Sequence, residues 1–304
     1  MKNILSISFT FILILILFFI KNFEDRQPTF LTSPLSQTVK ISGINQWQPQ
    51  QVLGIQFNTP TITAKSAIFI DSKTGQVLYE KNSHQKLPIA SLVKVMTVLI
   101  ALEHKKMDDE YLVSQRAAQM EPDKMLLIAG EKMTLKELLS GIFLVSANDA
   151  AEVLAEGTTG RREEFISMMN SKAKQLGMTD TYYVNPTGLD EDVNNSFSSA
   201  YDLVVLTRYL IRTYPEVVDI SKTEHIYFPQ TAKHQDYDMY SGINLLTTYS
   251  GVVGFKTGYT PEAGLTLITL ARKNNHEVIG VLLGSGDRRD EARELLDYSF
   301  AKLK

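Results

Sequence analysis

Short apolar runs mark both ends of the main part of the chain, and longer periodic stretches fill its middle. The runs near residues 66–80 and 252–284 are rich in β-branched residues and bounded by turn residues, which predicts strands. The stretches between residues 91 and 212 have helical patterns, and a last helical pattern follows at Arg288–Leu303. We therefore expect one α/β domain over residues 64–304, in which the terminal strands form one antiparallel sheet and the helical middle packs on it.

Individual elements can be placed within this pattern. The segment Leu92–Leu102 is apolar on nearly every side, so it predicts a helix buried in the domain centre. An amphipathic stretch, Thr134–Val145, and a second helical stretch, Asp149–Ala155, are separated only by a tight break. Two apolar runs joined by a turn around Asn274-Asn275 predict a hairpin, and they are Gly264–Ala271 and Glu277–Leu283.

The N-terminal segment differs from the rest of the chain. Residues 4–20 are apolar apart from three hydroxyl residues and are flanked by Lys2 and Lys21, which is typical of a signal peptide or a membrane anchor over residues 1–21. No small-residue cleavage site follows, which favours an uncleaved anchor. The run is short for a membrane span, so a cleaved signal is the alternative. Residues 22–63 are polar, lack periodicity and predict a flexible tether.

The composition narrows the classes of function. The chain has 304 residues, of which 44% are hydrophobic and 21% charged, and this suits a globular domain. Its net charge of −3 provides no general attraction to nucleic acid. The sequence contains no cysteine, which excludes disulfides and thiolate sites. The five histidines show no metal-ligand spacing, so we expect neither a metal nor a cofactor.

Three short motifs carry the candidate chemistry, and their order along the chain makes them informative together. They are Ser91-x-x-Lys94, Ser146-x-Asn148 and Lys256-Thr257-Gly258. Other copies of the first and third motifs lie in polar surroundings, near the C-terminus or in a hairpin turn, where a structural role is the simpler interpretation. These copies are Ser83–Lys86, Ser171–Lys174, Ser299–Lys302 and Lys73–Gly75.

The first motif follows a turn at Pro88 and opens the apolar helix. Ser91 is thus expected in the first helical turn, where unpaired backbone N–H groups favour developing negative charge. Lys94 lies three residues on and shares its face. Apolar surroundings lower the pKa of a lysine, and a neutral amine can take the proton from a serine hydroxyl. The alternative is a capping serine beside a lysine that extends to solvent.

The other two motifs are weaker when each is taken alone. Ser146 and Asn148 lie in the break between two helices, where caps are common. Buried hydroxyl and amide groups need partners, however, so a polar cluster between buried helices is notable. Lys256 follows glycine-rich and β-branched residues, which predicts a strand that another backbone can approach closely.

The ordered set resembles the serine-type D-Ala-D-Ala carboxypeptidases, which are the low-molecular-weight penicillin-binding proteins of peptidase family S11. The resemblance runs from about Ala64 to the C-terminus, and it implies a β-lactamase/transpeptidase-like fold with a helical subdomain. The active site is then expected between the sheet edge bearing Lys256 and the helical part bearing Ser146. Further segments that match the family pattern are Ser66–Tyr79, Pro88–Thr97, Leu176–Leu189, Ser199–Asp202 and Gly254–Gly264.

The resemblance also implies catalytic roles. Ser91 is the nucleophile that forms an acyl-enzyme, Lys94 is its general base, and Ser146 relays a proton to the leaving amine. Backbone N–H groups of Ser91 and Tyr259 form the oxyanion hole. Asn148 holds the substrate amide, Lys256 tunes Ser146, and Thr257 helps to bind the terminal carboxylate. The implied substrate-binding set is Asn148, Lys256, Thr257, Gly258 and Tyr259, and an arginine that assists the carboxylate in many members corresponds to Arg288 or Arg289.

The partners and the location follow from the same resemblance. Peptidoglycan stem peptides are the expected substrates, and β-lactam antibiotics are the expected covalent inhibitors. The expected location is extracytoplasmic, at the cell membrane through the N-terminal segment, or secreted if that segment is cleaved.

Three functions other than a carboxypeptidase share parts of this motif pattern. The best-known carboxypeptidases of the family add a β-rich domain and a C-terminal anchor, neither of which is in this sequence, so a DD-endopeptidase of the same family is one alternative. A class A-type β-lactamase would need a deacylating base, and no Glu-x-x-x-Asn occurs between Ser146 and Lys256. A non-catalytic penicillin-binding module would be indicated by loss of Ser91 or Lys94, and both are present.

Overall fold

The computed structural model describes residues 40–41, 44–45, 47–50, 59–191 and 194–303. The predicted anchor and most of the predicted tether lie outside these residues. Within the described part of the chain, no helix combines the length and apolarity that a membrane crossing requires.

The predicted sheet is present. Its five strands are, in spatial order, β11 (Val252–Thr260), β12 (Gly264–Lys273), β13 (His276–Ser285), β3 (Ser66–Asp71) and β4 (Val77–Lys81), and every neighbouring pair is antiparallel. The pairing of β13 with β3 joins strands from the two ends of the domain, as expected from the sequence. Strand bounds are β1 Lys40–Ile41, β2 Ile44–Asn45, β3 Ser66–Asp71, β4 Val77–Lys81, β5 Leu87–Pro88, β6 Glu110–Leu112, β7 Lys132–Thr134, β8 Phe197–Ser198, β9 His225–Phe228, β10 Tyr237–Tyr240, β11 Val252–Thr260, β12 Gly264–Lys273 and β13 His276–Ser285.

Helices cover both faces of the sheet. Helix bounds are α1 Lys94–His104, α2 Gln115–Ala118, α3 Leu135–Leu144, α4 Asn148–Thr159, α5 Arg162–Gln175, α6 Ala200–Thr213, α7 Glu216–Ser221, α8 Leu245–Thr248 and α9 Arg288–Lys302, and a 3₁₀ turn at Ala90–Val93 precedes α1. All six residues of β3 are buried because side chains alternate between two covered faces. Ile68 and Ile70 face the large helical core, whereas Ala67 and Phe69 pack in the smaller core with α9.

Helix α1 is the centre of the helical part. Every residue from Lys94 to Leu102 is buried, which confirms the prediction from its apolar circumference. It packs against α4, α5 and α6, and thereby holds Lys94 at a rigid position. The 3₁₀ turn before it places Ser91 one tight turn ahead of the helix proper.

Short strands in the middle of the domain were not predicted. Strands β5 and β8, β6 and β7, and β9 and β10 form separate two-stranded ladders. Each strand has two to four residues, which is too short for a period-2 pattern to be visible in the sequence.

Several described residues of the predicted tether contact the domain. Gln50 pairs with the turn between β3 and β4, its backbone N–H donating to the carbonyl oxygen of Gly75 at 2.7 Å. The ring of Trp47 lies against Gly75 and stacks over the guanidinium of Arg208 at 4.0 Å. Nearer the sheet, the hydroxyl of Thr63 donates to Glu291 at 2.7 Å.

The close packing of β13 on β3 leads to a stability prediction. A Cβ at Gly280 would lie 2.3 Å from the buried ring of Phe69. We expect Gly280→Ala to lower the free energy of unfolding by about 1–3 kcal/mol through overpacking, measured by urea denaturation. Gly242→Ala is the matched control because its nearest neighbour is an ordinary contact at 3.6 Å. Equal stability of the two variants would contradict this account.

Candidate active site

The 3₁₀ turn brings the two residues of the first motif together. Residues three apart are eclipsed in a 3₁₀ turn, and Nζ of Lys94 lies 2.8 Å from Oγ of Ser91. Ala90 has a φ of +49°, an uncommon conformation for a residue with a side chain. Ser91 is half-buried and Lys94 is fully buried, so the amine can reach the hydroxyl but not bulk water.

The partners of Lys94 suit a neutral amine. Besides Ser91, Nζ donates to Oδ1 of Asn148 and to the carbonyl oxygen of Thr187, each at 2.7 Å. A neutral amine has two N–H groups for these two acceptors and one lone pair that can accept the Ser91 proton. Burial lowers the pKa of Lys94 well below its usual value, and the nearby charge of Lys256 lowers it further.

The second motif lies in the break between α3 and α4, as predicted. Ser146 has a φ of +61°, which turns the chain sharply between the helices. No side chain caps the start of α4, whose N-cap position is Ala147, so neither Ser146 nor Asn148 serves as its side-chain cap. The Asn148 amide instead donates through Nδ2 to the carbonyl oxygen of Pro122 and accepts from Lys94 through Oδ1.

The third motif lies on β11, which is an edge strand of the sheet. Nζ of Lys256 donates to Oγ of Ser146 at 2.8 Å and to the carbonyl oxygen of Thr257 at 2.7 Å. Burial lowers the pKa of Lys256 to about 7, with Asp123 opposing the shift and Arg288 adding to it. The three motifs therefore form one continuous polar cluster in the fold.

Two positions of the site require glycine because another backbone segment lies too close for a side chain. A Cβ on Gly258 would lie 2.9 Å from the backbone nitrogen of Ser91, so only glycine lets this edge of β11 lie beside the nucleophile turn. Gly188 has a φ of +81°, and a Cβ there would lie 1.9 Å from the carbonyl oxygen of Ala90. Tyr259 is exposed at the rim beside Gly258.

The structure distinguishes the two candidate arginines. Nη1 of Arg288 donates to the carbonyl oxygen of Gly258 at 2.6 Å, which places this cation at the third motif. Arg289 instead pairs with Asp290 on the exposed start of α9. Arg288 is therefore the arginine that belongs to the site.

Sequence reasoning missed two backbone segments that complete the cluster. The turn at Thr187-Gly188 supplies an acceptor to Lys94, and Oδ1 of Asn185 holds that turn through the backbone N–H of Gly188 at 2.6 Å. The loop at Pro122-Asp123 supplies acceptors to Asn148. Every residue has a backbone carbonyl, so its role as an acceptor cannot be read from the residue type. Asn, Pro and Gly within Asn185–Gly188 are turn-forming residues, and they were the one sequence signal for the first segment.

The described residues offer no clustered ligands for a metal ion. Among them, no group of three or more histidine, aspartate or glutamate side chains is arranged to hold a metal ion.

The fold and the site together define a class of protein. It is the class with the penicillin-binding and DD-peptidase fold, in which a serine–lysine pair lies between an edge strand of the sheet and a helical region. A model of the family described as D-alanyl-D-alanine carboxypeptidase, peptidase S11, matches residues 54–287. The chain belongs to this family.

Individual relatives agree with the family match. D-alanyl-D-alanine carboxypeptidase DacF of Bacillus subtilis is 38% identical over 249 residues, which cover 79% of this chain and 63% of the relative. DacC of Escherichia coli is 32% identical over 79% of this chain and 62% of its own length. The chain thus spans a little under two thirds of the length of these curated relatives.

Solved structures support the fold assignment. The carboxypeptidase DacD of Francisella tularensis superposes with a TM-score of 0.75 at 26% identity, covering 83% of this chain and 74% of the other. The Streptomyces K15 DD-transpeptidase has a TM-score of 0.74 at 27% identity, covering 81% and 100%. Penicillin-binding protein D2 of Listeria monocytogenes, solved in an ampicillin-bound form, has a TM-score of 0.67 at 30% identity, covering 80% and 100%.

The burial of Lys256 leads to a prediction about stability and pH. The unfolded chain keeps the proton up to a pKa of 10.5, whereas the folded chain releases it at about 7. The unfolded state therefore binds more protons between these values, and this residue makes the free energy of unfolding rise with pH by up to roughly 1.4 kcal/mol per pH unit. We expect Lys256→Met to lose that rise, measured by urea denaturation at pH 7.5 and pH 9.5. Parallel pH dependences of the two proteins would contradict the assignment.

Proposed function

We propose that the protein is a serine D-Ala-D-Ala carboxypeptidase that acts on peptidoglycan stem peptides through an acyl-enzyme on Ser91. One observation carries the proposal: a fully buried lysine amine lies 2.8 Å from the Ser91 hydroxyl, and its two other partners are neutral acceptors. This is the arrangement that a lysine general base needs, because its pKa is lowered by burial and it is aimed at the proton it removes.

In the first step Lys94 takes the proton of Ser91, and Oγ attacks the carbonyl carbon of the penultimate D-Ala. The carbonyl oxygen becomes an oxyanion, which the backbone N–H groups of Ser91 and Tyr259 stabilise. The close approach of Gly258 to the Ser91 backbone supports this assignment, because it brings the β11 edge that carries Tyr259 alongside the nucleophile.

In the second step the bond to the terminal D-Ala breaks, and the leaving nitrogen needs a proton. The Ser146 hydroxyl donates this proton. Lys256, whose Nζ lies 2.8 Å from Oγ of Ser146, then donates a proton to Ser146 in its place. Water then attacks the ester on Ser91 and gives up one proton, which passes through Ser146 to Lys256. The bond between Oγ of Ser91 and the acyl carbon breaks, Lys94 returns its proton to Oγ, and the shortened peptide leaves with a new carboxyl group.

The remaining site residues bind the substrate. One N–H of the Asn148 amide donates to Pro122, and Nδ2 carries a second N–H that can donate to the substrate amide. Thr257 provides a hydroxyl and Arg288 a guanidinium beside β11, and Lys256 adds positive charge when it is protonated. Together these groups suit a free terminal carboxylate. Arg288 acts there with its guanidinium held by the carbonyl oxygen of Gly258.

The family membership supports the same activity, since the relatives are named as D-alanyl-D-alanine carboxypeptidases. The ampicillin-bound form of the Listeria protein supports β-lactams as covalent inhibitors of Ser91 here. Peptidoglycan lies outside the cytoplasmic membrane, so we also propose an extracytoplasmic location, with residues 1–21 as an uncleaved anchor.

The nucleophile is tested by covalent labelling. We expect fluorescent penicillin to label the protein, and Ser91→Ala to abolish the labelled band on a denaturing gel. Ser83→Ala and Ser171→Ala are matched controls, because each removes the serine of another Ser-x-x-Lys copy, and both should label normally. Normal labelling of Ser91→Ala would exclude Ser91 as the nucleophile.

The reaction itself is tested with two substrates. We expect a stem pentapeptide to lose one D-Ala, measured by mass spectrometry, because the site holds cationic groups for a free terminal carboxylate. A cross-linked dimer of stem peptides should react at least tenfold more slowly. Release of monomer from the dimer without release of D-Ala from the pentapeptide would instead identify a DD-endopeptidase.

The placement is tested by N-terminal sequencing of protein recovered from membranes. We expect the chain to retain residues 1–21, because no small-residue cleavage site follows the apolar run. A mature chain that starts between Lys21 and Ala64, or full recovery in the soluble fraction, would show a secreted enzyme.

A further inference from the structure

A loop that no motif includes lies directly against the second motif. This 122–127 loop, Pro122–Leu127, accepts two hydrogen bonds from Asn148. The backbone N–H of Asn148 donates to the carbonyl oxygen of Asp123 at 2.7 Å, and its side-chain Nδ2 donates to the carbonyl oxygen of Pro122. The loop therefore determines which way the Asn148 amide points, and its Oδ1 faces Lys94 at 2.7 Å.

A single buried carboxylate holds this loop. Asp149 is fully buried, and it accepts the backbone N–H of Met125 at 3.0 Å and of Leu127 at 3.1 Å, one on each oxygen. It also accepts the backbone N–H of Ala150 in its own helix at 2.8 Å. Among the described residues no cation forms an ion pair with Asp149. Burial raises its pKa, and hydrogen bonds from backbone N–H groups oppose that shift.

The loop needs such an anchor because its backbone is unfavourable. Asp123 has a φ of +49° and Leu126 a φ of +70°, and neither is a glycine. The Leu126 side chain is 62% exposed and contributes little to packing. The buried side chains of Met125 and Leu127, together with the two hydrogen bonds to Asp149, hold the strained conformation in place.

We propose that Asp149 is a positioning residue, which fixes the Asn148 amide between Lys94 and the substrate by holding the 122–127 loop. The inference rests on the proposed function, since it assigns Asn148 to the acylation site. The same loop keeps the carboxylate of Asp123 near Lys94 and Lys256, where its charge opposes the lowering of the pKa of both amines. The charge of Asp149 also opposes the lowering of the pKa of Lys94, and this direct effect does not pass through Asn148. Release of the loop would thus disturb the orientation and the electrostatics of the site together.

The first test is Asp149→Asn in the full chain, measured as the second-order rate constant of acylation by fluorescent penicillin. The substitution keeps the size but turns an N–H donor toward backbone donors, so the loop loses one of its two bonds. We expect the rate constant to fall by about 10–100-fold, because displacing a reacting group by about 1 Å can cost roughly 100-fold in rate.

Asp71→Asn is the matched control. Asp71 is also buried and also accepts two loop N–H groups, from Lys73 at 2.9 Å and Thr74 at 2.7 Å. Its turn lies at the far end of the sheet from Gly258, as the strand register shows. Both bonds reach Oδ1, so an asparagine keeps them but loses the negative charge that Oδ2 offers to Nδ1 of His276 at 3.2 Å. We expect this variant to melt at a lower temperature while acylating at the rate of the unmodified protein.

A double-mutant cycle separates positioning from a general loss of structure. If Asp149 acts through Asn148, then Asp149→Asn should slow acylation by less than about threefold in an Asn148→Ala background. Met125→Ala loosens the same loop by removing a buried side chain and changes no residue of α4, and its effect should shrink in that background too. This second variant keeps the inference testable if Asp149→Asn does not fold.

The outcomes distinguish two failures. If Asn148→Ala slows acylation but Asp149→Asn acylates at the original rate, or if their effects multiply, the positioning role is wrong and the proposed function stands. If Asn148→Ala acylates at the original rate, the role of Asn148 in acylation is wrong and the positioning role of Asp149 fails with it, while Ser91 stands as the nucleophile. If Ser91→Ala is still labelled, the proposed function itself fails.

Discussion

Two lysine amines buried at the junction of sheet and helices are the constraint on which the rest of the structure depends. Lys94 and Lys256 expose 0% and 1% of their surface. An unpaired ammonium in such a position is strongly unfavourable, so each amine must be surrounded by acceptors and must release its proton more easily. The two serines and the asparagine of the motifs, with the carbonyl oxygens of Thr187 and Thr257, are these partners. The chemistry of the site and the stability of the domain therefore depend on the same contacts.

The architecture keeps these two amines together. Helix α1 is apolar all round and is held by its neighbours, so the Lys94 backbone cannot shift. Strand β11 is at the edge of the sheet, where one side of its backbone stays available beside the nucleophile turn. Pairing of β13 with β3 fixes that edge relative to the start of the domain, because it joins strands more than 200 residues apart. The strand at the far end of the domain can thus present Lys256 to a serine 110 residues earlier.

Much of the fold could be predicted from the sequence because the signals were local. The turn at Asn274-Asn275 adopts φ values of +50° and +64°, which asparagine tolerates better than most residues. The buried helix, the break before Asn148 and the strand that carries Lys256 were all confirmed. The short ladders and the 3₁₀ turn were missed, because elements of two to four residues leave no periodic pattern.

The sequence by itself determined the residue types of the site and the elements that carry them, because side-chain chemistry and periodicity are properties of neighbouring residues. Only the tertiary structure decided which groups meet. It placed Arg288 rather than Arg289 at Gly258, and it made the Thr187 carbonyl and the 122–127 loop part of the cluster. These contacts join backbone groups and side chains that are distant along the chain. Their geometry depends on how the helical part packs against the sheet, which no local pattern encodes.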